Sequence, residues 1–469
     1  MERNAFERLL QRIATEAADY RAGDRDRPHR PKISYREALA RFDAPTPEHG
    51  ATQEAVIGEL IEKVPAGLAA ITGPRFFGWV IGASEPAGVA ADWLTSAWAQ
   101  NTGNAQATPA ACAVEEIAGR WLLDLLDLPR ESSVGFVTGA TMANFTCLAA
   151  ARSEVLRRVG WDVERSGLFG APSVHVVLGE EAHSTVFSGL RYLGFGAERV
   201  VRVAINSEGC MRADAFAEVM RKLDGPIIVI TQAGHINSGA FDPMQEIVPI
   251  AREKGAWVHV DGAFGLWARA TDDLAHLAAG FELADSWGTD GHKWLQTPHD
   301  CGYAIVRDAE AHRRAMTIAA SYLPAGADRH PADYVPELSR RARGFATWAM
   351  IKTLGREGIA AMVRRHCAQA KRFAVRLAKE SSLEIMNDVV LNQVAVRLGS
   401  GMDGAVSDAL TLKTISRIQS EGECFVGGAL WRGRQIIRIS VINAQTTDAD
   451  IDRSADAILR AWRAEKEAG

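Results

Sequence analysis

The run Ala284-Asp285-Ser286-Trp287-Gly288-Thr289-Asp290-Gly291-His292-Lys293-Trp294, read with Trp257-Val258-His259-Val260-Asp261-Gly262-Ala263 upstream of it, decides the fold. Each run begins as a short β-prone strand and ends in charged side chains: Asp261 in the first, His292 and Lys293 in the second. In open α/β sheets, ligands bind at the carboxyl ends of strands, so the two runs predict neighbouring strands whose ends meet at one site. A lysine amine and a carboxylate on a buried strand are what pyridoxal phosphate requires. The amine forms an imine with the cofactor aldehyde, and the carboxylate keeps the pyridine nitrogen protonated so that the ring accepts electrons.

Outward from these runs, short apolar stretches at 133–137, 173–178, 200–203, 227–231, 257–260, 285–287 and 303–306 alternate with helix-like segments. Several lack polar alternation, as expected of strands buried on both faces, which predicts a largely parallel sheet covered by helices. Ahead of the sheet, Phe6, Leu9, Leu10, Ile13, Ala17 and Tyr20 recur at helical spacing. Further helices are predicted over 53–64 and from Pro109, which suits a first helical turn after Thr108. The charged, proline-punctuated stretch 23–31 reads as a solvated connector. Beyond residue 345 the pattern becomes helix, strand-like 393–397, a hairpin within 422–440 and a final helix presenting Ile451, Ile458, Leu459 and Trp462. The expected organisation is an N-terminal helical segment (1–85) packing on a partner subunit, a large cofactor-binding domain (86–345) and a small C-terminal α+β domain (346–469).

Composition narrows the function classes. The chain has 469 residues, 47% hydrophobic and 24% charged, with a net charge of −5. These values suit a large folded core and speak against disorder or a nucleic-acid surface. Six scattered cysteines without a C-x-x-C pair point to reduced thiols and to no metal site. With neither a signal-like N-terminus nor a stretch of membrane-spanning length, a cytoplasmic protein without membrane contact is expected.

Three further strand ends carry candidate residues. Val137-Thr138-Gly139-Ala140-Thr141 leads into a helix, whose free N–H groups and positive dipole end suit a phosphate; an ordinary strand-to-helix turn explains the same residues. The run lacks the spacing of a dinucleotide fold or a P-loop. His183, in Gly179-Glu180-Glu181-Ala182-His183, could stack on a cofactor ring or carry a proton, or be a solvated loop residue. His235 and Asn237 lie in a Gly-rich turn where backbone can approach a ligand closely. Phe76, Phe77, Trp79, Trp93 and Trp98 offer an aromatic substrate lining or, equally, packing.

With these motifs in order, the chain resembles the pyridoxal-phosphate-dependent group II amino-acid decarboxylases, the family of aromatic-L-amino-acid, histidine and glutamate decarboxylases. The resemblance covers roughly residues 30 to 465 and is most specific at Asp290-Gly291-His292-Lys293-Trp294 and Asp300-Cys301-Gly302. It implies an α/β fold of PLP fold type I, aspartate-aminotransferase-like, with a mainly parallel seven-stranded sheet. It implies that Lys293 carries the cofactor, Asp261 binds the ring nitrogen, and His183 and Ala263 take opposite ring faces. Ala140, Thr141, Ser286 and His292 match phosphate-side contacts, and His235 stands at a cofactor-contacting turn where animal aromatic enzymes carry Thr. Ser321-Tyr322-Leu323 matches a catalytic loop whose Tyr helps protonate the product carbanion. Phe76, Trp79, Trp93, Trp98 and Asn237 are the expected substrate contacts, and a homodimer is the expected assembly. Asp290 departs from the Asn of many relatives, Val80-Ile81-Gly82 departs from the animal pattern, and the Asp92-Trp93-Leu94 region looks like a bacterial branch. The implied reaction is decarboxylation of an aromatic L-amino acid. Rival readings are a Cα–Cβ lyase or aminotransferase on the same cofactor, or a non-catalytic binding protein.

Overall fold

The computed structural model describes residues 3–318 and 328–468, so Tyr322 and its segment lie outside the described residues. Five helices precede the main sheet: α1 (Arg3–Ala22), α2 (Tyr35–Phe42), α3 (Gln53–Lys63), α4 (Pro86–Trp98) and α5 (Pro109–Leu125). Helix α2 starts at a capping box in which Ser34 and Glu37 satisfy each other's backbone N–H groups.

Seven strands then form one sheet: β1 (Ser133–Val137), β2 (His175–Gly179), β3 (Val201–Val203), β4 (Ile227–Gln232), β5 (Trp257–Asp261), β6 (Ser286–Asp290) and β7 (Gly302–Val306). Their order is β1-β7-β6-β5-β4-β2-β3, and only β7 runs antiparallel to its neighbours. Side chains alternate across the sheet, so each strand feeds two apolar layers. Val229, Val258, Val260 and Ile305 enter one core, while Ile228, Ile230, Trp257 and Val306 enter the other. This two-sided burial is why the strands read as unbroken apolar runs. Helix α6 (Ala140–Arg157) lies against the sheet closely enough that a Cβ on Gly288 would come 2.4 Å from Asn144 Oδ1.

The C-terminal part builds a second, antiparallel sheet from β8 (Leu383–Ile385), β9 (Gln393–Leu398), β10 (Gly427–Trp431) and β11 (Arg434–Ser440), in the order β10-β11-β9-β8. Helix Asp448–Ala468 inserts Ile451, Ile458 and Trp462 into a core shared with Val394, Val396, Ile437 and Ile439. The long helix Gly344–Leu377 is broken at Gly355, whose φ of 63° is a left-handed conformation that glycine adopts without strain.

The last part of the N-terminal segment 1–85 is anchored within the chain itself. Arg75 Nη1 pairs with Asp450 Oδ1 at 3.2 Å with both side chains buried, Phe77 N donates to Phe425 O at 2.8 Å, and Asn443 Nδ2 donates to Thr72 O and Gly73 O. Phe76 and Phe77 are thereby buried in the chain's own core, while Trp79 stays half-exposed beside them.

One histidine in this framework makes stability pH-dependent. His366 Nδ1 accepts from Trp294 Nε1 at 2.9 Å, so Nε2 carries the hydrogen and donates to Asn443 O at 3.0 Å. Protonation would set a second N–H against that of Trp294, and burial holds the imidazole pKa down to about 3. Because the unfolded chain takes the proton near pH 6.5, stability is full above that value and falls as pH drops towards 3. Between pH 7 and pH 5 this group removes about 2 kcal/mol. His366→Gln keeps an acceptor and a donor without titrating. Urea unfolding at both pH values should therefore show a smaller acid loss in the variant than in the parent protein.

Candidate active site

Strand register gathers the charged strand ends. Asp261, the last residue of β5, pairs across from Gly288 in β6, which places the following residues, Asp290 to Lys293, beside it. The first strand delivers Ala140 at the start of α6, and β2 leads to His183, the N-cap of helix Ser184–Tyr192. A cavity of about 310 Å³ opens there, lined among others by Ala140, Thr141, His183, Asp261, Ala263, His292 and Lys293. Its size and mixed lining suit a small-molecule site.

Lys293 Nζ lies 2.8 Å from Asp290 Oδ2, and Ala140 N donates to Asp290 Oδ1 at 2.6 Å. Asp261 is buried, accepts from Ala263 N at 3.3 Å and has no salt-bridge cation among the described residues. Burial raises its pKa, opposed by the charges of His183 and Lys293. For His183 burial lowers the pKa, Asp261 raises it, and Lys293 and Arg438 lower it. Thr185 N donates to His183 Nδ1 at 3.4 Å, which leaves the hydrogen of the neutral ring on Nε2. His292 Nδ1 donates to Cys301 O at 2.7 Å, its ring stacks on His299 at 4.2 Å, and burial lowers its pKa.

The lysine turn is held from three directions, by residues that sequence reasoning missed. Gln296 Nε2 donates to Lys293 O and to Ile442 O, while its Oε1 accepts from Ala83 N. His366 fixes Trp294 as described above. Gly82 N donates to His292 O at 3.0 Å, so close that a Cβ on Gly82 would fall 2.3 Å from Lys293 O. Arg438 on β11 was also missed. It is half-buried, desolvation lowers its pKa, and it has no carboxylate partner among the described residues. These side chains reach the site from distant parts of the chain, and no spacing signal announces them.

Several expected contacts lie elsewhere. Ser286 sits at the far end of β6, where its Oγ accepts from Trp257 Nε1 at 2.9 Å and bonds His259 Nδ1 at 3.0 Å, leaving it unavailable to a phosphate. His235 turns away from the cavity towards Glu181, 3.0 Å away, and Trp431; the next residue, Ile236, lines the cavity instead. Gly234, with φ of 90°, sets that reversal. Asn237 is buried outside the lining. Phe76 is buried against Phe425 at 4.7 Å, and Trp79 leans on the same ring. Trp93 and Trp98 lie on the solvent side of α4, Trp98 against Phe345. None of these four rings lines the cavity of the single chain.

Residues 36–399 match the family described as the pyridoxal-dependent decarboxylase conserved domain. The chain belongs to that family. This decarboxylase is 25% identical over 441 residues to 4-hydroxyphenylacetaldehyde synthase of Rhodiola rosea, covering 91% of this chain and 88% of the relative. It is 28% identical over 382 residues to L-2,4-diaminobutyrate decarboxylase of Rhizobium meliloti, covering 79% and 74%. Its fold matches the crystal structure of Oryza sativa TDC with PLP and tryptamine at a TM-score of 0.91, with 23% identity over 99% of each chain. The fold is therefore PLP fold type I, and the protein is a PLP-dependent amino-acid decarboxylase, a lyase.

The residues present fit that cofactor. A carboxylate already sits on the Ala140 N–H, marking an anion cradle at a helix N-terminus, and buried Asp261 lacks the cation that a protonated pyridine would supply. Gly82→Ala in the decarboxylase forces the lysine turn out of place. A loss of about 1–3 kcal/mol in thermal unfolding, with weakened cofactor retention, is expected; an unchanged melting temperature would show that the turn yields freely.

Proposed function

We propose that the enzyme removes the α-carboxylate of an aromatic L-amino acid, releasing carbon dioxide and the amine. The observation that carries the substrate reading is the inventory of charge in and around the cavity. Among the described residues of the lining, Asp290 is paired with Lys293, and Asp261 is reserved for the ring nitrogen. Arg438 on β11, just outside the lining and without a carboxylate partner among the described residues, is the cation we assign to the substrate α-carboxylate. Among the described residues of the lining no further Lys or Arg stands ready for a glutamate side chain and no further carboxylate for a diamino acid, while Ile236 and Phe264 offer apolar wall. The aromatic compounds named with the Rhodiola rosea and Oryza sativa proteins point the same way.

When bound, pyridoxal phosphate supplies the sink for the electron pair left as the Cα–carboxylate bond breaks. Lys293 would hold the cofactor through its amine, and the same nitrogen can carry a proton. Asp261 would hold the proton on the cofactor's ring nitrogen, a preorganised electrostatic contribution. His183, its Nε2–H oriented by the Thr185 bonds, and Ala263 both line the cavity and would flank the cofactor ring. Thr141 and His292 join the Ala140 turn on the phosphate side. Tyr322, by resemblance, returns a proton to Cα.

The assembly we propose is a homodimer. Supporting it are the exposed apolar side chains Phe6, Leu10, Leu39, Phe42, Val56 and Leu60 on α1–α3 and Trp93, Leu94 and Trp98 on α4. We also propose a cytoplasmic location, supported by six free, buried cysteines. Among the described residues no helix is long and apolar enough to cross a membrane.

The deciding experiment incubates holoenzyme with a panel of L-amino acids and measures carbon dioxide, amine and aldehyde together. Aromatic substrates should release carbon dioxide and amine in equal amounts; aldehyde in place of amine would assign the enzyme to the synthase-like reaction. Lys293→Ala should lose the visible absorbance and turnover. Arg438→Met should raise KM at least about tenfold, the loss of one charged contact worth about 1.4 kcal/mol, while the cofactor absorbance stays unchanged. A normal KM would remove Arg438 from carboxylate binding.

A further inference from the structure

Asp290 occupies the first N–H of α6, the turn read above as the phosphate site. Its side chain is 2% exposed, and both of its oxygens are engaged, one by the first N–H of α6 and the other by the Lys293 ammonium. The surroundings are tight: a Cβ on Gly139 would meet His292 Cε1 at 3.1 Å and Asp290 Oδ1 at 3.3 Å. A Cβ on Gly302 would come 2.5 Å from Gly139 Cα, so the turn is fixed against β7 and opens only towards the cavity. A phosphate brought to the Ala140 N–H carries nearly two negative charges into a space where a carboxylate has no water to screen it. Both anions draw on the Ala140 N–H and on the Lys293 charge, so binding one weakens the other.

We propose that Asp290 is a built-in competitor for the cofactor phosphate. In the cofactor-free protein its carboxylate fills the cradle and holds Lys293 as an ion pair; the incoming phosphate displaces it from the Ala140 N–H and frees the lysine. The inference rests on the reading of the Ala140 turn as the phosphate site. An Asn at this position keeps an acceptor for the N–H but no charge to oppose the phosphate or to hold the lysine. Asp290 therefore sets how readily the enzyme loads and releases its cofactor, and it stabilises the empty fold at the expense of the loaded one.

The test titrates cofactor-free, full-length protein with pyridoxal phosphate and with pyridoxal, following tryptophan quenching, in the presence and absence of inorganic phosphate. Asp290→Asn should bind pyridoxal phosphate at least about tenfold more tightly, while pyridoxal, which lacks the phosphate, changes by less than about threefold. The variant should also melt at a lower temperature when empty and gain more on loading than the parent protein. Asp290→Ser serves as the second variant if Asn folds poorly. Unchanged or weaker binding of pyridoxal phosphate in a folded variant overturns the competitor role. Failure of inorganic phosphate to compete with pyridoxal phosphate in either protein removes the Ala140 turn as the phosphate site, and the proposal falls with it. Competition by phosphate combined with unchanged affinity in the variant overturns the competitor role and leaves the site reading standing.

Discussion

Asp261 faces Gly288, Val260 faces Trp287 and His259 faces Ser286 along the β5–β6 pairing, and the rest of the site depends on that register. A slip of one residue would turn Asp261 to the opposite face of the sheet and bury its carboxylate among Val and Trp side chains. The register is held by packing on both faces and by a buried polar pin: His259 bonds Ser286 Oγ on one side and Asn144 Oδ1 on the other. Burial keeps this histidine neutral, with its pKa held down to about 3. Ser286 thus serves the site through the alignment of two strands, at the end of the sheet away from the chemistry.

The electrostatics follow from this arrangement. Two carboxylates, one lysine and two histidines share a space from which most water is excluded, so each group's charge depends on its neighbours. Asp261 is pushed towards its neutral form by burial and back towards the anion by His183 and Lys293. Such a group waits for a cation, and a protonated heterocycle is a better partner than a mobile lysine because it is held flat and at a fixed depth. Asp290, by contrast, is already satisfied. The same residue type therefore takes two roles a few residues apart, decided by what surrounds it.

Much of the fold is legible in the sequence because burial on both faces writes itself as unbroken apolar runs such as Ile227 to Thr231. The polar ends of β6 were harder, since Thr289 and Asp290 belong to the strand although their chemistry reads as loop. The three-residue β8 left no pattern at all. At the site, the strand-end residues were readable because loops after parallel strands converge. His235 and Ile236 could not be told apart, since the positive φ of Gly234 decides which of them faces the cavity. Gln296, His366 and Arg438 act across more than seventy positions of sequence or from the second sheet, and one-dimensional spacing carries no trace of such contacts. The aromatic residues near the N-terminus suggested a pocket by type alone, yet Phe76 is spent on packing against Phe425.

The clamp around the lysine turn has a consequence for how the chain acquires its shape. Gln296 needs Ile442 and Ala83, His366 needs Asn443, and Asn443 in turn needs Thr72 and Gly73. Early and late stretches of the polypeptide must therefore meet before the central one is set. During synthesis the sheet strands can form while the lysine turn stays loose, and it locks only when residues 442–443 have emerged. Closure of such long loops is slow, and it leaves apolar strand ends uncovered in the interval. The nascent enzyme is thus most vulnerable to misassembly late in its synthesis, when nearly all of its core is already built.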